Sequence, residues 1–440
     1  MGQSYGTYFQ RNENASADQG ERLVIRIKGL LESSRRHLPG ECCIYKVPRH
    51  LRKLNKQAYT PQVISIGPFH HGNKKLQILE KYKLRYLKDF MRRANTNLEN
   101  LVRIVRGSEE RIRQCYAETI EPDSDEFVKM ILLDATFIIE YFLRNMFTVQ
   151  WTDEDRTVIK PWITARMQLD FLLLENQLPF FILKDLYQLV LVTNRIMYRP
   201  FIEVVFRYFH FLNTQKKSSD SDQFNGIIHF VDLFRIFYLP PPETLSERQP
   251  GSMAEKICCA TQLAEAGLTF KKSKSQCYLD IKYHEGGVLE IPPFTIDNTT
   301  EIFARNLMAL EQCHYPTQAY ITDYFFLLDF LIDTGKDVAL LADKKILVNG
   351  MGDDNATFIN NLGTNVQYSS MNSEYCRLCR DLAEFRDDSW HRWKAIFKRD
   401  YVSTPWKIVA TIAAILLLAL TLTQAVCSLI SVLPSKRRNL

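Results

Sequence analysis

The 440-residue chain lacks the short signatures that mark many catalytic and nucleotide sites: no GxSxG elbow, HExxH, GxGxxG or GxxxxGKS/T occurs. Thr334-Gly335-Lys336 has no glycine ahead of it at phosphate-loop spacing, and Asp337 stands where a magnesium-holding Ser or Thr belongs. The segment reads as a helix ending at Gly335. A large charge excess is missing too. Lys plus Arg number 56 against 50 for Asp plus Glu, and the difference is spread along the chain. Nucleic-acid binding usually needs a clustered basic face, so no such partner is indicated. The one basic run, Lys271-Lys272-Ser273-Lys274, reads as a solvated loop edge.

The ten cysteines have no framework spacing. Cys376 and Cys379 form a single CxxC with no second pair or His pair to complete four zinc ligands. At i and i+3 they share a helix face, so both read as packing inward. The set is that of small buried hydrophobes in a reducing compartment. The N-terminal twenty residues hold no apolar core, which excludes a secretory signal, and Gly6 stands where myristoylation needs Ser or Thr. Residues 1–20 read as disordered.

What is present is a globular composition, 46% hydrophobic and 24% charged, far richer in apolar residues than a disordered chain. From Ile408 to Leu433 no residue is charged. As a helix at about 1.5 Å per residue this run exceeds a hydrocarbon core of about 30 Å. Thr404 and Pro405 suit its N-cap and first turn, and Trp406 suits the interface. Residues 405–433 therefore read as one C-terminal transmembrane helix, with 434–440 as a basic tail carrying Lys436, Arg437 and Arg438. Arg392, Lys394, Lys398, Arg399 and Lys407 precede the span, which favours a cytosolic body inserted after translation. Glycosylation triplets at Asn14, Asn298 and Asn355 would matter only in a lumenal body.

The body reads as predominantly α-helical α+β, with a few short strands and a β-hairpin. A mainly helical part (21–238) and a later part (253–404) flank a Pro-rich loop (239–252). Leu76, Leu79, Lys83, Leu87 and Phe90 recur at steps of three and four, predicting an amphipathic helix over 74–93 with Lys and Arg outward. Residues 127–147 are apolar nearly all round and predict a central helix. Its acids, Asp134 and Glu140, point to different sides at i and i+6, and read as hydrogen-bonding scaffold. Pro179 breaks a second apolar stretch just after Glu175-Asn176-Gln177, whose side chains can satisfy the backbone freed there. His70-His71-Gly72 after Gly67-Pro68 reads as a turn. Leu279, Ile281 and Tyr283 alternate with polar neighbours before Gly286-Gly287, predicting a hairpin into 288–291. Asn298, with Glu301 three residues on, predicts the next helix start. Further helices are predicted over 318–333 and 372–398.

These blocks resemble the land-plant family called domain of unknown function 247, over nearly the full length. The N-terminal block is similar in Ile44-Tyr45-Lys46-Val47-Pro48, Ala58-Tyr59-Thr60-Pro61 and Ser65 through Gly72, which includes Gly67, Pro68, His70 and His71. The central block resembles Leu174-Glu175-Asn176-Gln177-Leu178-Pro179-Phe180-Phe181. Later blocks are similar at Ala266 to Lys271, Leu279-Asp280-Ile281, Asn306-Leu307, Glu311-Gln312-Cys313 and Pro405-Trp406. Tyr82-Lys83-Leu84 departs from the His-Lys-Trp or His-Lys-Arg of many relatives, and Tyr315-Pro316 is a second local difference.

The resemblance implies a plant membrane protein and supplies no catalytic residue or cofactor. The expected function is a non-enzymatic interaction or signalling module held to the membrane through 405–433. Its protein partner would meet exposed loops at 1–20, 213–226 and 239–252. Two alternatives stand beside it. One is pollen-side self-incompatibility, the role in which some grass relatives are implicated. The other is an unrecognised enzyme with a pocket formed by Glu175, Asn176, Gln177, His70 and His71. No cofactor, metal or small-molecule substrate is indicated.

Overall fold

The computed structural model describes residues 22–28, 42–147, 151–193, 199–246, 248, 258–349, 355–366, 370–388 and 405–432. The N-terminal stretch 1–20, the basic tail 434–440, the Asn14 triplet, Thr404 and the flanking cations from Arg392 to Arg399 lie outside the described residues.

The chain divides into two units. The first comprises 1–239, 298–322 and 364–367, so the break after Leu239 coincides with the Pro-rich loop. It departs from the expected two-part division because 298–322 returns to the first unit. The helix there carries its own buried partners for that unit: Asn306 and Glu311 are both buried among first-unit backbone.

Within the first unit, α1 (Gln77–Arg93) follows a short 3-10 turn at Lys74–Leu76. It turns Leu79, Tyr86, Leu87 and Phe90 inward, and α2 (Leu98–Gly107) starts where the Asn97 side chain caps Asn100 N. Helix α3 (Ser124–Met146) is capped by Asp123 and buried on nearly every side from Phe127 to Arg144, as its apolar composition predicts. A Thr152–Asp155 capping box opens α4 (Asp153–Val158), and Pro161 opens α5 (Pro161–Asp170). Helices α6 (Phe180–Thr193), α7 (Phe201–Tyr208) and α8 (Phe230–Tyr238) close around an aromatic core. There Phe142 stacks on Tyr208 at 4.2 Å and meets Phe171 edge-on at 5.5 Å.

The loop expected to be exposed at 213–226 is exposed at Lys216, Ser218, Asp220, Asp222 and Asn225, while others of its residues pin it to this core. Lys217 Nζ donates to the carbonyls of Ile236 and Leu239, and Gln215 Nε2 to those of Phe237 and Leu239. Phe224 is buried against Phe206 and Phe237. The polar run is thus a side-chain cap for the last carbonyls of α8, which have no partner inside the helix.

The chain then contributes α9 (Ala260–Glu265) and strands β1 (Thr269–Lys272), β2 (Lys282–His284), β3 (Val288–Ile291) and β4 (Phe294–Ile296) to the second unit. It returns to the first as α10 (Asn298–His314), then runs on through α11 (Tyr320–Leu331), α12 (Gly335–Asp343), β5 (Leu347–Asn349), α13 (Asn355–Leu362), α14 (Ser373–Asp387) and α15 (Pro405–Val432).

The second unit holds the predicted hairpin: β2 pairs antiparallel with β3 across Gly286 and Gly287, both at positive φ. The register of residues 269–272 was not anticipated. They form β1, parallel to β3, in a sheet of order β1-β3-β2. Lys271 and Lys272 therefore sit on an edge strand rather than in a loop, where exposed lysine discourages strand addition. A second parallel pair joins β4 to β5. Gly335 opens α12 instead of ending a helix. Asp337 accepts from Thr334 N and Oγ1 at 2.9 Å each, and from Thr261 N at 2.8 Å, so the acid draws the chain into a capping box. In the Pro-rich loop the described Arg248 pairs with Asp323 at 2.6 Å. Beyond Asp388, the remainder of the pattern predicted to 398 lies outside the described residues.

Among the described residues one helix is long and apolar enough to cross a membrane: Trp406–Ser428 in α15, with mean hydropathy 2.2 and none of it buried.

Candidate functional site

The motif residues of the N-terminal and central blocks converge in the first unit. Residues 44–72 are mostly irregular backbone, yet Ile44, Val47, Ile64, Ser65 and Ile66 are buried. Buried amides and carbonyls outside helices and strands need side-chain partners. The turn between α5 and α6 supplies them.

Glu175 accepts the Val47 amide at 2.8 Å and the Arg52 guanidinium at 2.6 Å. His70 Nε2 lies 3.1 Å from Glu175 Oε2 but off the hydrogen-bonding direction. Burial alone would raise the Glu175 pKa. His70, Arg52 and the Val47 amide more than offset it and hold the carboxyl below its ordinary range. Asn176 Oδ1 accepts from Ile66 N at 2.7 Å, while its Nδ2 donates to Ile64 O and Asp170 O. Gln177 Nε2 donates to Phe171 O and Leu173 O, and its Oε1 accepts from Phe230 N. Every polar atom of these two amides faces backbone.

Other elements complete the junction. Asn306 on α10 accepts from Leu174 N at 2.9 Å and donates to Ala58 O at 2.8 Å, tying two motif blocks together. Tyr116 Oη donates to Gln177 O at 3.0 Å. Gly67, at φ +72°, is pressed so closely on the Gln177 carbonyl that a Cβ would stand 2.6 Å from its oxygen. The Gly67 amide donates to Asp134 Oδ2 at 2.8 Å. Pro48 precedes the turn Arg49–Arg52, Tyr59 and Pro61 are buried nearby, and Pro68 opens the 3-10 turn that carries His70.

The pocket expected at Glu175, Asn176, Gln177, His70 and His71 is not formed. Glu175, Asn176 and Gln177 are only 5%, 1% and 1% exposed, and backbone fills the space a substrate would need. His71 turns away to Glu126, 3.1 Å distant on the surface of α3. Asp134 and Glu140 likewise take separate partners. Lys83 stands 2.6 Å from Asp134, and Arg93 makes two bonds to Glu140 at 2.6 and 3.0 Å.

The remaining motif residues lie elsewhere. Glu311 accepts from Arg235, Ile321 N and Thr322 N, Gln312 is on the same helix, and burial pushes the Cys313 thiol up to about 11. Asp280 pairs with Lys282 at 2.9 Å beside the hairpin. Trp406 is 82% exposed at the start of α15.

Three buried groups escaped sequence reasoning. Asp170 accepts the amides of Gln62, Val63 and Ile64 at 2.8–2.9 Å. Arg144 bridges Asp89 and Asp155. His229 is wholly buried; its Nδ1 accepts from Asp232 N, which leaves Nε2 to donate to Cys43 O at 3.0 Å. A lone acid or histidine in an apolar run is the only signal such groups leave.

The polar junction holds no cluster of three metal-ligating side chains among the described residues. Its neighbours Pro179, Phe180 and Phe181 line a cleft of about 490 Å³ in the same unit.

Comparison with known proteins gives the same span as the motif blocks. Residues 44–420 match the family model DUF247, plant protein of unknown function. The chain is 29% identical to the UPF0481 protein At3g47200 of Arabidopsis thaliana, covering 93% of this chain and 90% of that protein. It is 23% identical to the putative UPF0481 protein At3g02645 of the same plant, over 87% and 89% of the two chains. No solved structure matches it significantly.

Proposed function

The chain belongs to this plant family of unknown function, and from that premise we propose that it is a membrane-anchored protein-interaction or signalling module. The observation that carries the reading is α15. Over Trp406–Ser428 none of the helix is buried, which is unlike a core helix and leaves apolar surface that water disfavours. A lipid bilayer removes that surface along the whole helix length. The excess of Lys and Arg ahead of the span supports a cytosolic body. The polar residues of the motif blocks support a scaffold role, because they stabilise irregular backbone instead of facing a substrate. Pollen-side self-recognition is one setting in which such a module would work, and expression restricted to pollen is its test.

The experiment is protease protection and glycosidase treatment of the tagged full chain in plant membranes, after alkaline carbonate extraction. Retention in the membrane pellet, digestion of the body from the cytosolic side and no glycan are expected. Release by carbonate overturns anchoring. A protected, glycosylated body overturns the orientation and makes extracellular recognition the leading reading.

A further inference from the structure

The 490 Å³ cleft of the first unit is built differently from the rest of its surface. Its floor is apolar: Phe180, Phe201, Phe224 and Ile227 are all buried. Two thiols, Cys43 and Cys115, close the inner wall, and their mutual hydrogen bond and burial keep Cys43 far above its usual range, hence neutral. No carboxylate lines it. The charged groups that do are both cations, Arg111 and Lys184, and both are exposed.

Arg111 shares the lack of a carboxylate partner with other exposed arginines of the unit, Arg103, Arg166 and Arg207, and differs from the less exposed ones. Arg52, Arg93, Arg113, Arg144 and Arg235 each pair with a carboxylate. Arg111 and Lys184 pair with none among the described residues. Instead the Arg111 guanidinium lies 3.8 Å over the ring of Phe181. Stacking fixes the plane of the cation and leaves its N–H edge available to a planar anion. A volume of this size falls within the range of small-molecule sites, about 300–1,000 Å³, where an apolar lining supplies affinity and a few polar groups supply orientation.

We infer that the cleft binds an amphipathic organic anion: a carboxylate held at the rim by Arg111 and Lys184, with a flat apolar body on the phenylalanine floor. The carboxylate supplies the missing counter-charge and the apolar body covers Phe180 and Phe201. The inference goes beyond the membrane-module reading and stands whichever way the body faces.

The test uses the full chain in lipid nanodiscs, with empty nanodiscs as baseline. Saturation-transfer NMR and calorimetry are run with 2-naphthoate and with its neutral counterpart 2-naphthylmethanol. Naphthoate is expected to bind at least about tenfold more tightly than the alcohol, and to lose about tenfold in the Arg111→Gln/Lys184→Gln variant. Both positions are exposed, so the melting temperature should stay unchanged. The Lys53→Gln/Lys56→Gln variant, which alters exposed cations elsewhere, should bind as the parent does. A readout that needs no variant is salt: raising ionic strength from about 0.05 to about 0.5 M should weaken naphthoate and spare the alcohol. Signal no greater than in empty nanodiscs, equal affinity for the alcohol, or salt-independent binding of the acid overturns the assignment.

Discussion

Lys83 Nζ and Asp134 Oδ1 lie 2.6 Å apart between α1 and α3, with side chains 1% and 3% exposed. The amine also donates to Ser65 O at 2.6 Å, and Asp134 accepts from Gly67 N. The pair thus joins two helices to the irregular 65–67 backbone. Burial raises the Asp134 pKa above its ordinary value, and Lys83 counters that rise. Removing one partner strands the other: Lys83→Met should destabilise by about 3–5 kcal/mol. Lys83→Met/Asp134→Asn keeps an acceptor for Gly67 N and removes the buried charge, leaving only the part-exposed Glu80 that Lys83 also meets at 2.5 Å, so it should melt above the single variant. Thermal melts of the full chain in nanodiscs, followed by circular dichroism, decide this; a double variant no more stable than the single one rules out stranded charge as the cause.

Gly67 and Gly72 share a positive φ, +72° and +75°, but differ in surroundings. A methyl group at Gly67 meets the Gln177 carbonyl at 2.6 Å, whereas nothing lies within 4 Å at Gly72. Gly72→Ala should cost only the left-handed backbone term of about 1–2 kcal/mol. Gly67→Ala adds a clash with backbone that cannot step aside, on a backbone with ψ −174° that non-glycine residues rarely adopt, so it should cost at least about 2 kcal/mol more. Equal losses at the two sites contradict the close approach.

Gln177 contacts three backbone groups through one side chain. Gln177→Leu keeps the bulk but leaves the Phe171 carbonyl and the Phe230 amide without partners in the interior, while Leu173 O keeps its bond from Asn176 N. At about 1–3 kcal/mol for each group, the loss should reach several kcal/mol. Replacing the exposed Gln57 by Leu should stay within about 0.5 kcal/mol. Hydrogen exchange offers an independent check: the Phe230 amide should lose protection in the Gln177 variant before the interior of α3 does.

Burial lowers the His229 pKa from 6.5 to about 3, because the ring caps α8 in its neutral form. The folded state therefore binds fewer protons than the unfolded state between those values. Stability is fully present above pH 6.5 and falls as the pH drops towards 3. Melting temperature measured from pH 7 to 4 should decline, and His229→Asn, which retains a capping oxygen, should flatten part of that decline. An unchanged slope in the variant shows that His229 is not the group responsible. Glu175 acts lower on the scale: with its folded pKa depressed, its contribution is lost only as the pH falls through that value, below 4.5.

Much of the architecture is written in local pattern. The 3.6-residue periodicity of 74–93, the all-round apolarity of 127–147, the Gly286-Gly287 turn and the uncharged C-terminal run each follow from the residues within one element. Pro179 and the polar triplet before it mark a junction whose side chains serve freed backbone, and the structure shows those bonds. Gly335 opens a helix where the local pattern reads as a helix end, because a glycine fits both ends of a helix. The choice fell to Asp337, whose bond to Thr261 spans 76 residues.

The sequence by itself determined the helices over 74–93 and 127–147, the Gly286-Gly287 turn and the apolar C-terminal helix, since these depend on neighbours within a few positions. Only the tertiary structure decided that 298–322 rejoins the first unit, that Gln215 and Lys217 cap α8, and that the polar motif residues face backbone instead of a cleft. It also decided that Arg111 sits on Phe181 among the residues lining an apolar cleft. The physical reason is one of range. Periodicity and capping act over one or two turns, whereas the partner of a buried charge or amide is fixed by packing between segments a hundred residues apart, and one sequence carries no local trace of it.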